Sequence, residues 1–161
     1  MNVLYAPWRM AYINQSGSEK IDCIFCAFTR ENNDEKRLIL YRGKKAFVMM
    51  NAFPYNTGHL MVAPYRHCGD YDDLDGEELI EINELVQRCI KLLKKVMAPH
   101  GFNIGINMGK VAGAGFEGHV HVHIVPRWEG DTNFMPVIGD TKVIPEALDV
   151  TYRKLKEAWE G

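Results

Sequence analysis

His119, His121 and His123 occupy every second position of the segment HVHVHIV (119–125), and they make up half of the six histidines in the 161-residue chain. Successive side chains of an extended segment point to opposite faces. The three imidazoles therefore share one face, and Val120, Val122 and Ile124 share the other. Neighbouring rings stand about 6.6 Å apart along such a strand. A merely solvated face would be served better by Lys, Glu or Thr. Two chemistries use imidazoles in this arrangement. One is metal ligation, although no Asp or Glu lies within the motif to complete a catalytic metal site. The other is nucleophilic attack on phosphorus, for which an uncharged imidazole near neutral pH is competent. The glycine-rich approach KVAGAGFEG (110–118) favours the second, because exposed backbone N–H groups could cradle phosphate oxygens there. A second constellation is Cys23-Ile-Phe-Cys26, which taken alone is redox-active, structural or incidental.

The elements that must position these residues follow from hydrophobic period. RLILY (37–41) and AFVMMN (46–51) flank RGKK and read as a hairpin, and HLMVAP (59–64) reads as a third strand. Over residues 75–97, Leu79, Ile82, Val86, Cys89, Leu93 and Met97 recur at helical spacing, with acidic residues early and lysines late. Gly101 follows as a stop signal. FNIGINMG (102–109) and HVHVHIVPR (119–127) alternate with period two, and a closing helix is expected over 145–159. The polar stretches NQSGSEKID (14–22) and RENNDEK (30–36) read as surface loops. Strands, one long helix, further strands and a C-terminal helix predict an α+β fold around an antiparallel β-sheet.

Length suits a single domain over residues 1–161, with no repeat or linker to divide it. The formal charge of −2 argues against a nucleic-acid partner but leaves room for a small anionic ligand in a local pocket. The N-terminus lacks the long apolar core of a signal peptide, and no apolar run reaches the length of a membrane span. Cys23, Cys26, Cys68 and Cys89 are too few for a disulfide scaffold, so a cytoplasmic location with reduced thiols is expected.

HVHVHIV, with PYNTGHLMVAPYRH (54–67) and Asn51 eight residues before His59, resembles the histidine triad (HIT) family over nearly the whole chain. The resemblance implies a HIT-like fold and an enzyme acting on phosphoanhydride bonds of nucleotides. It assigns His121 as the nucleophile that attacks an α-phosphorus. It makes His123 a phosphate contact, His59 the additional histidine of the site, and Asn107 a residue that orients phosphate or leaving group. Asn51 is expected at the ribose. Gly115 and Phe116 belong to the glycine-rich loop, and Ile24 and Phe25, with Phe28 and Met49 nearby, follow the pattern of the nucleobase site. The resemblance also implies a zinc site of Cys23, Cys26, His67 and His119. Two thiolates and two imidazoles form a closed tetrahedral set, which suits structural rather than catalytic zinc. No catalytic metal or organic cofactor is expected. Cys68 would point the opposite way from His67 along a strand and stays outside the site.

APWRMAYI (6–13), CIFC and PRWEGDTNFMPVIGDTKVIPE (126–146), with Trp128 as a shared substrate-side feature, resemble the branch containing bacterial diadenosine tetraphosphate phosphorylases. In that branch inorganic phosphate resolves the nucleotidyl-histidine. Where hydrolase relatives carry glutamine and phosphorylase relatives a small hydroxyl residue, this chain has Gly115. Hydrolysis and phosphorolysis both stay open. The alternatives are a nucleoside phosphoramidate hydrolase, a purine nucleotide-binding module with little turnover, and a zinc hydrolase using the triad as its metal site. A homodimer or higher homo-oligomer is expected around Asn103 to Met108.

Overall fold

The computed structural model describes residues 23–161, so the resemblance carried by residues 6–13 and the loop expected over 14–22 fall outside the described residues. The described chain opens with α1 (Ile24–Arg30) and α2 (Asp34–Arg37). Strands β1 (Ile39–Arg42), β2 (Ala46–Met50) and β3 (Leu60–Pro64) follow, then the long helix α3 (Gly76–Met97), β4 (Gly101–Ile106) and β5 (Val122–Arg127). The short α4 (Met135–Ile138) and α5 (Leu148–Glu160) close it. The five strands form one sheet in the order β1-β2-β3-β5-β4, with every neighbouring pair antiparallel.

The two faces of this sheet bury different things. Leu60, Val62, Val120, Val122 and Ile124 join Ile82, Cys89 and Leu93 of α3 and Leu155 of α5 in the larger core. The opposite face holds a smaller cluster in which Cys23 and Phe25 meet Ile39, Phe47, Met49 and Met61. Cross-strand pairing carries that parity through the sheet: Met49 pairs with Met61, Met61 with His123, and His123 with Gly105. The valine side of the histidine segment is thus core, and its imidazole side faces α1.

Helix α3 starts on a capping box, in which the Asp75 side chain accepts from Glu78 N and the Glu78 carboxylate accepts from Asp75 N. Arg66 adds two charge-assisted hydrogen bonds to the same buried Glu78, at 2.9 and 2.7 Å. This ties the segment after β3 to the start of the helix. The helix ends at Met97, the bound its spacing predicted, and Ala98 caps it with a left-handed φ of 45°, while Gly101 opens β4. Pro99 reinforces the stop, because a residue before proline is pushed out of the right-handed helical region.

Other boundaries shift for similar local reasons. Residues 34–36, expected as loop, and Arg37, expected to open the first strand, form one helical turn whose N-cap Asn33 accepts from Lys36 N. The closing helix begins at Leu148 and runs to Glu160, a little later than expected. The histidine segment enters the ladder only at Val122, the last residue paired with β3. His119 and His121 lie in the lead-in, where Val120 N donates to Cys68 O at 2.6 Å.

Candidate active site

Each imidazole of the motif is fixed by a neighbour whose chemistry leaves no choice of tautomer. His121 Nδ1 lies 2.8 Å from His119 O, and a carbonyl only accepts, so Nδ1 carries the hydrogen. Burial holds this ring below the ordinary histidine value, so it is neutral with its lone pair on Nε2. His119 is held the same way at the other nitrogen: Nε2 donates to Pro64 O at 2.8 Å, leaving the lone pair on Nδ1. Burial pushes His119 down to about 4.

His59 and His123 form a second chain. The Tyr55 N–H donates to His59 Nδ1 at 3.1 Å, so the neutral His59 ring keeps its hydrogen on Nε2. That Nε2 stands 2.9 Å from His123 Nδ1 and donates to it, which leaves the hydrogen of a neutral His123 on Nε2. Tyr55 covers the pair with its ring, stacked 5.7 Å from His123 and tilted 4.4 Å from His59. Neighbouring His121 and His123 thus carry opposite functions: one offers a lone pair at Nε2, the other a hydrogen.

Burial, reinforced by the nearby His123 and His121, drives His59 from 6.5 down to about 3. The unfolded chain binds a proton there below pH about 6.5, whereas the folded protein resists it. Stability is therefore complete above that pH. It falls as pH drops toward about 3, by about 1.4 kcal/mol per pH unit from this residue. His59→Gln is expected to make the acid-side loss of stability shallower by one proton. Urea midpoints at a series of pH values check this, and an unchanged slope would overturn it.

His121 and His123 line a cleft of about 410 Å3. Ile24, Phe25 and Phe28 of α1 form one wall, Met49, Asn51 and Met61 come from the sheet, and Gly115 and Phe116 close it from the glycine-rich loop. Asn51 also shapes the rim, because its Oδ1 accepts from Phe53 N at 2.9 Å. Phe53, Tyr55 and Lys110 line the cleft as well and were not singled out from sequence. Lys110 is the one lysine or arginine among the described lining residues. The backbone role of Tyr55 leaves no trace in residue type, whereas a cation opening a glycine-rich loop was a readable signal.

Three residues expected at the catalytic or substrate site are not among those lining the cleft: His59, which backs His123 from full burial, Trp128 and Asn107. Trp128 lines a separate hollow of about 510 Å3 with Met97, Asn56 and Asp131, and its indole N–H donates to Met97 O at 3.3 Å. The cause is strand length. Trp128 is seven residues beyond His121, about 23 Å of extended chain, and emerges at the opposite end of β5. Asn107 is half-buried just beyond β4 and is not among the residues lining the cleft. Ile106 pairs with Val122, so the register brings Asn107 alongside His121.

The Cys23-x-x-Cys26 pair meets His67 and His119, and the four ligand atoms lie within 4.8 Å of one another. Cys23 Sγ and Cys26 Sγ are 3.4 and 3.6 Å from His119 Nδ1, and Cys26 Sγ is 3.4 Å from His67 Nδ1. A tetrahedral zinc ion with ordinary Zn–S and Zn–N bonds separates sulfur from nitrogen by about 3.5 Å. The donor set and its spacing thus fit such an ion, and the lone pair on His119 Nδ1 points to the thiols. Cys68 turns away, with Sγ directed at Asp70 O at 3.1 Å.

The HIT domain family matches residues 32–130. The chain is 41% identical to the AP-4-A phosphorylase of Mycobacterium tuberculosis, over 97% of this chain and 83% of that protein. Among solved structures it resembles a Zn-bound histidine triad family protein from Mycobacterium smegmatis, with TM-score 0.69 and 24% identity over 88% of this chain and 96% of that one. It also resembles Plasmodium falciparum diadenosine triphosphate hydrolase in complex with Cyclomarin A, with TM-score 0.61 and 25% identity over 78% and 76%. The family match and the identity to that relative, over a site whose cleft is lined by His121 and His123, show that the chain belongs to the histidine triad family.

Proposed function

We propose that this chain is a one-domain enzyme that cleaves dinucleoside polyphosphates, diadenosine tetraphosphate first among them, and passes the nucleotidyl group through His121. The observation that carries this reading is the His121 Nδ1 hydrogen held by the His119 carbonyl, which presents a neutral Nε2 lone pair to the cleft. In the first step Nε2 bonds to an α-phosphorus and the bridging P–O bond breaks, releasing ATP from diadenosine tetraphosphate. The His123 Nε2–H, backed by His59 and Tyr55 N–H, offsets charge on the phosphoryl or leaving oxygen. In the second step an oxygen of inorganic phosphate bonds to phosphorus, the P–N bond breaks, and ADP leaves. Splitting one displacement into two lowers each barrier.

The similarity to AP-4-A phosphorylase supports phosphate as the second nucleophile. Water is the competing one, supported by the likeness to a diadenosine triphosphate hydrolase. Gly115 brings no side chain to decide between them. Incubation with diadenosine tetraphosphate, with and without phosphate, separates the readings by product. ADP plus ATP only with phosphate is the expected result. AMP plus ATP without phosphate would replace phosphorolysis by hydrolysis, and no product from any dinucleoside polyphosphate would reduce the chain to a nucleotide-binding module.

Asn51 faces the ribose and Ile24, Phe25 and Phe28 the base, while Lys110, the one lysine or arginine among the described lining residues, meets the polyphosphate. The Cys23, Cys26, His67 and His119 cluster holds a structural zinc ion, which supplies a cross-link between the N-terminal helix and the histidine segment. None of the four cysteines is disulfide-bonded, which fits a reducing compartment such as the cytoplasm. No described helix is long and apolar enough to cross a membrane. The edge strand β4, with Ile104 exposed on it and Met108 exposed just beyond it, supports assembly into a homo-oligomer.

A further inference from the structure

The short segment from Cys23 to Phe28 serves two sites at once. Cys23 and Cys26 belong to the thiol–imidazole cluster, while Ile24, Phe25 and Phe28 line the cleft. Phe25 is the physical junction. It is 1% exposed, and its ring centroid lies 5.0 Å from that of His119 and 4.7 Å from that of His121. It also meets Phe116 of the glycine-rich loop edge-on at 6.2 Å. His119 is shared as well: its ring belongs to the cluster and its carbonyl holds the nucleophile's Nδ1 hydrogen.

Helix α1 has seven residues, well below the length at which a helix holds itself, so its position comes from its anchors. At the C-terminal end Arg42 donates to Thr29 O at 2.7 Å and to Glu31 O at 2.8 Å. At the N-terminal end the Cys23 side chain makes no capping hydrogen bond, and the cluster is the matching anchor. We infer that metal in the Cys23–Cys26–His67–His119 cluster and nucleotide in the cleft bind cooperatively, with Phe25 as the positioning residue that transmits the coupling. Metal fixes the N-terminal end of α1 and the plane of His119. Both present Phe25 and His121 in the arrangement a nucleotide meets, and a nucleotide packed on that wall holds the same arrangement for the metal. The inference rests on the zinc and nucleotide readings of the two sites, and the test separates its failure from theirs.

Coupling free energies are reciprocal, so each ligand must raise the other's affinity by one factor, and about tenfold is typical. Zinc affinity is measured on the folded, zinc-loaded protein by competition with a chromogenic chelator, without and with saturating AMP, and AMP binding is followed by calorimetry. AMP is expected to raise zinc affinity about tenfold. Removing zinc is expected to weaken AMP by the same factor. Complexation of zinc by free AMP would act in the opposite direction, so it cannot mimic the effect. Phe25→Leu keeps an apolar side chain but not the shared ring, and it is expected to bind zinc with the AMP effect reduced below about twofold. Leu93→Ala, in the core on the opposite face of the sheet, lowers stability yet keeps the full factor. Equal zinc affinity with and without AMP, when calorimetry shows AMP bound, would overturn the coupling. An undiminished factor in Phe25→Leu would overturn the role of Phe25. If Phe25→Leu fails to fold, the size of the wild-type factor still decides the coupling: about tenfold supports it and a factor of one overturns it. A protein that takes up no zinc, or no AMP, overturns the inference through the metal or the nucleotide reading respectively.

Discussion

His121→Ala is expected to lower turnover of diadenosine tetraphosphate by about five orders of magnitude, the scale on which loss of a covalent nucleophile acts. The ring is buried, and its Nδ1 is already committed to the His119 carbonyl. No other described residue presents a neutral nitrogen lone pair to the cleft in the same way. His59 spends its own lone pair on Tyr55 N–H, and His123 spends its Nδ1 on His59. A second readout separates chemistry from folding. With phosphate withheld, substrate labelled at the α-phosphorus should leave label on the wild-type protein that is lost in acid and kept in base, as a phosphorus–nitrogen bond requires. The alanine variant should take up none while still binding AMP. An alanine variant that turns over at the wild-type rate would remove His121 from the mechanism.

Metal removal is expected to have the largest effect on stability. A ligand present at about a thousand times its dissociation constant adds about 4 kcal/mol to a folded protein. For a domain of this size that corresponds to about 8–16 °C in melting temperature. Chelator treatment should therefore lower the melting temperature by that amount, and zinc should restore it. Cys26→Ser should melt low from the start and ignore the chelator. Metal analysis giving no zinc, together with a melting temperature indifferent to chelator, would leave the four residues as buried thiols and imidazoles without a metal.

Much of this site was legible in the sequence because it is written in period. Alternation alone put His119, His121 and His123 on one face and Val120, Val122 and Ile124 on the other, and the two cores divide along that line. Helix α3 was readable for the same reason, and Ile82, Cys89 and Leu93 are buried as its spacing requires. What escaped depends on contacts that residue type does not encode. The strand was expected from residue 119, but a ladder needs a partner, and pairing with β3 stops at Val122. The Tyr55 amide that sets the His59 tautomer is a backbone group, which any residue could supply. Trp128 entered the expected site through the branch resemblance of its Pro-Arg-Trp segment, and residue type does not encode that an extended strand carries it to a separate hollow. The one-turn α2 has too few residues for a helical period to register.

The division of the sheet into two faces also limits how this protein can change. Between Val120, held by Cys68 O, and Arg127, paired with Gly101, the backbone is clamped along its length. Within that span a substitution alters one side chain, but inserting or deleting a single residue inverts every side chain beyond it. The imidazoles would enter the aliphatic core and the valines would line the cleft, with catalytic loss and unfolding arriving in one step. Segment length is therefore under stricter control than composition here. Variation in the number of residues has to be absorbed outside the clamp, in the glycine-rich loop before it or in the turn after Arg127.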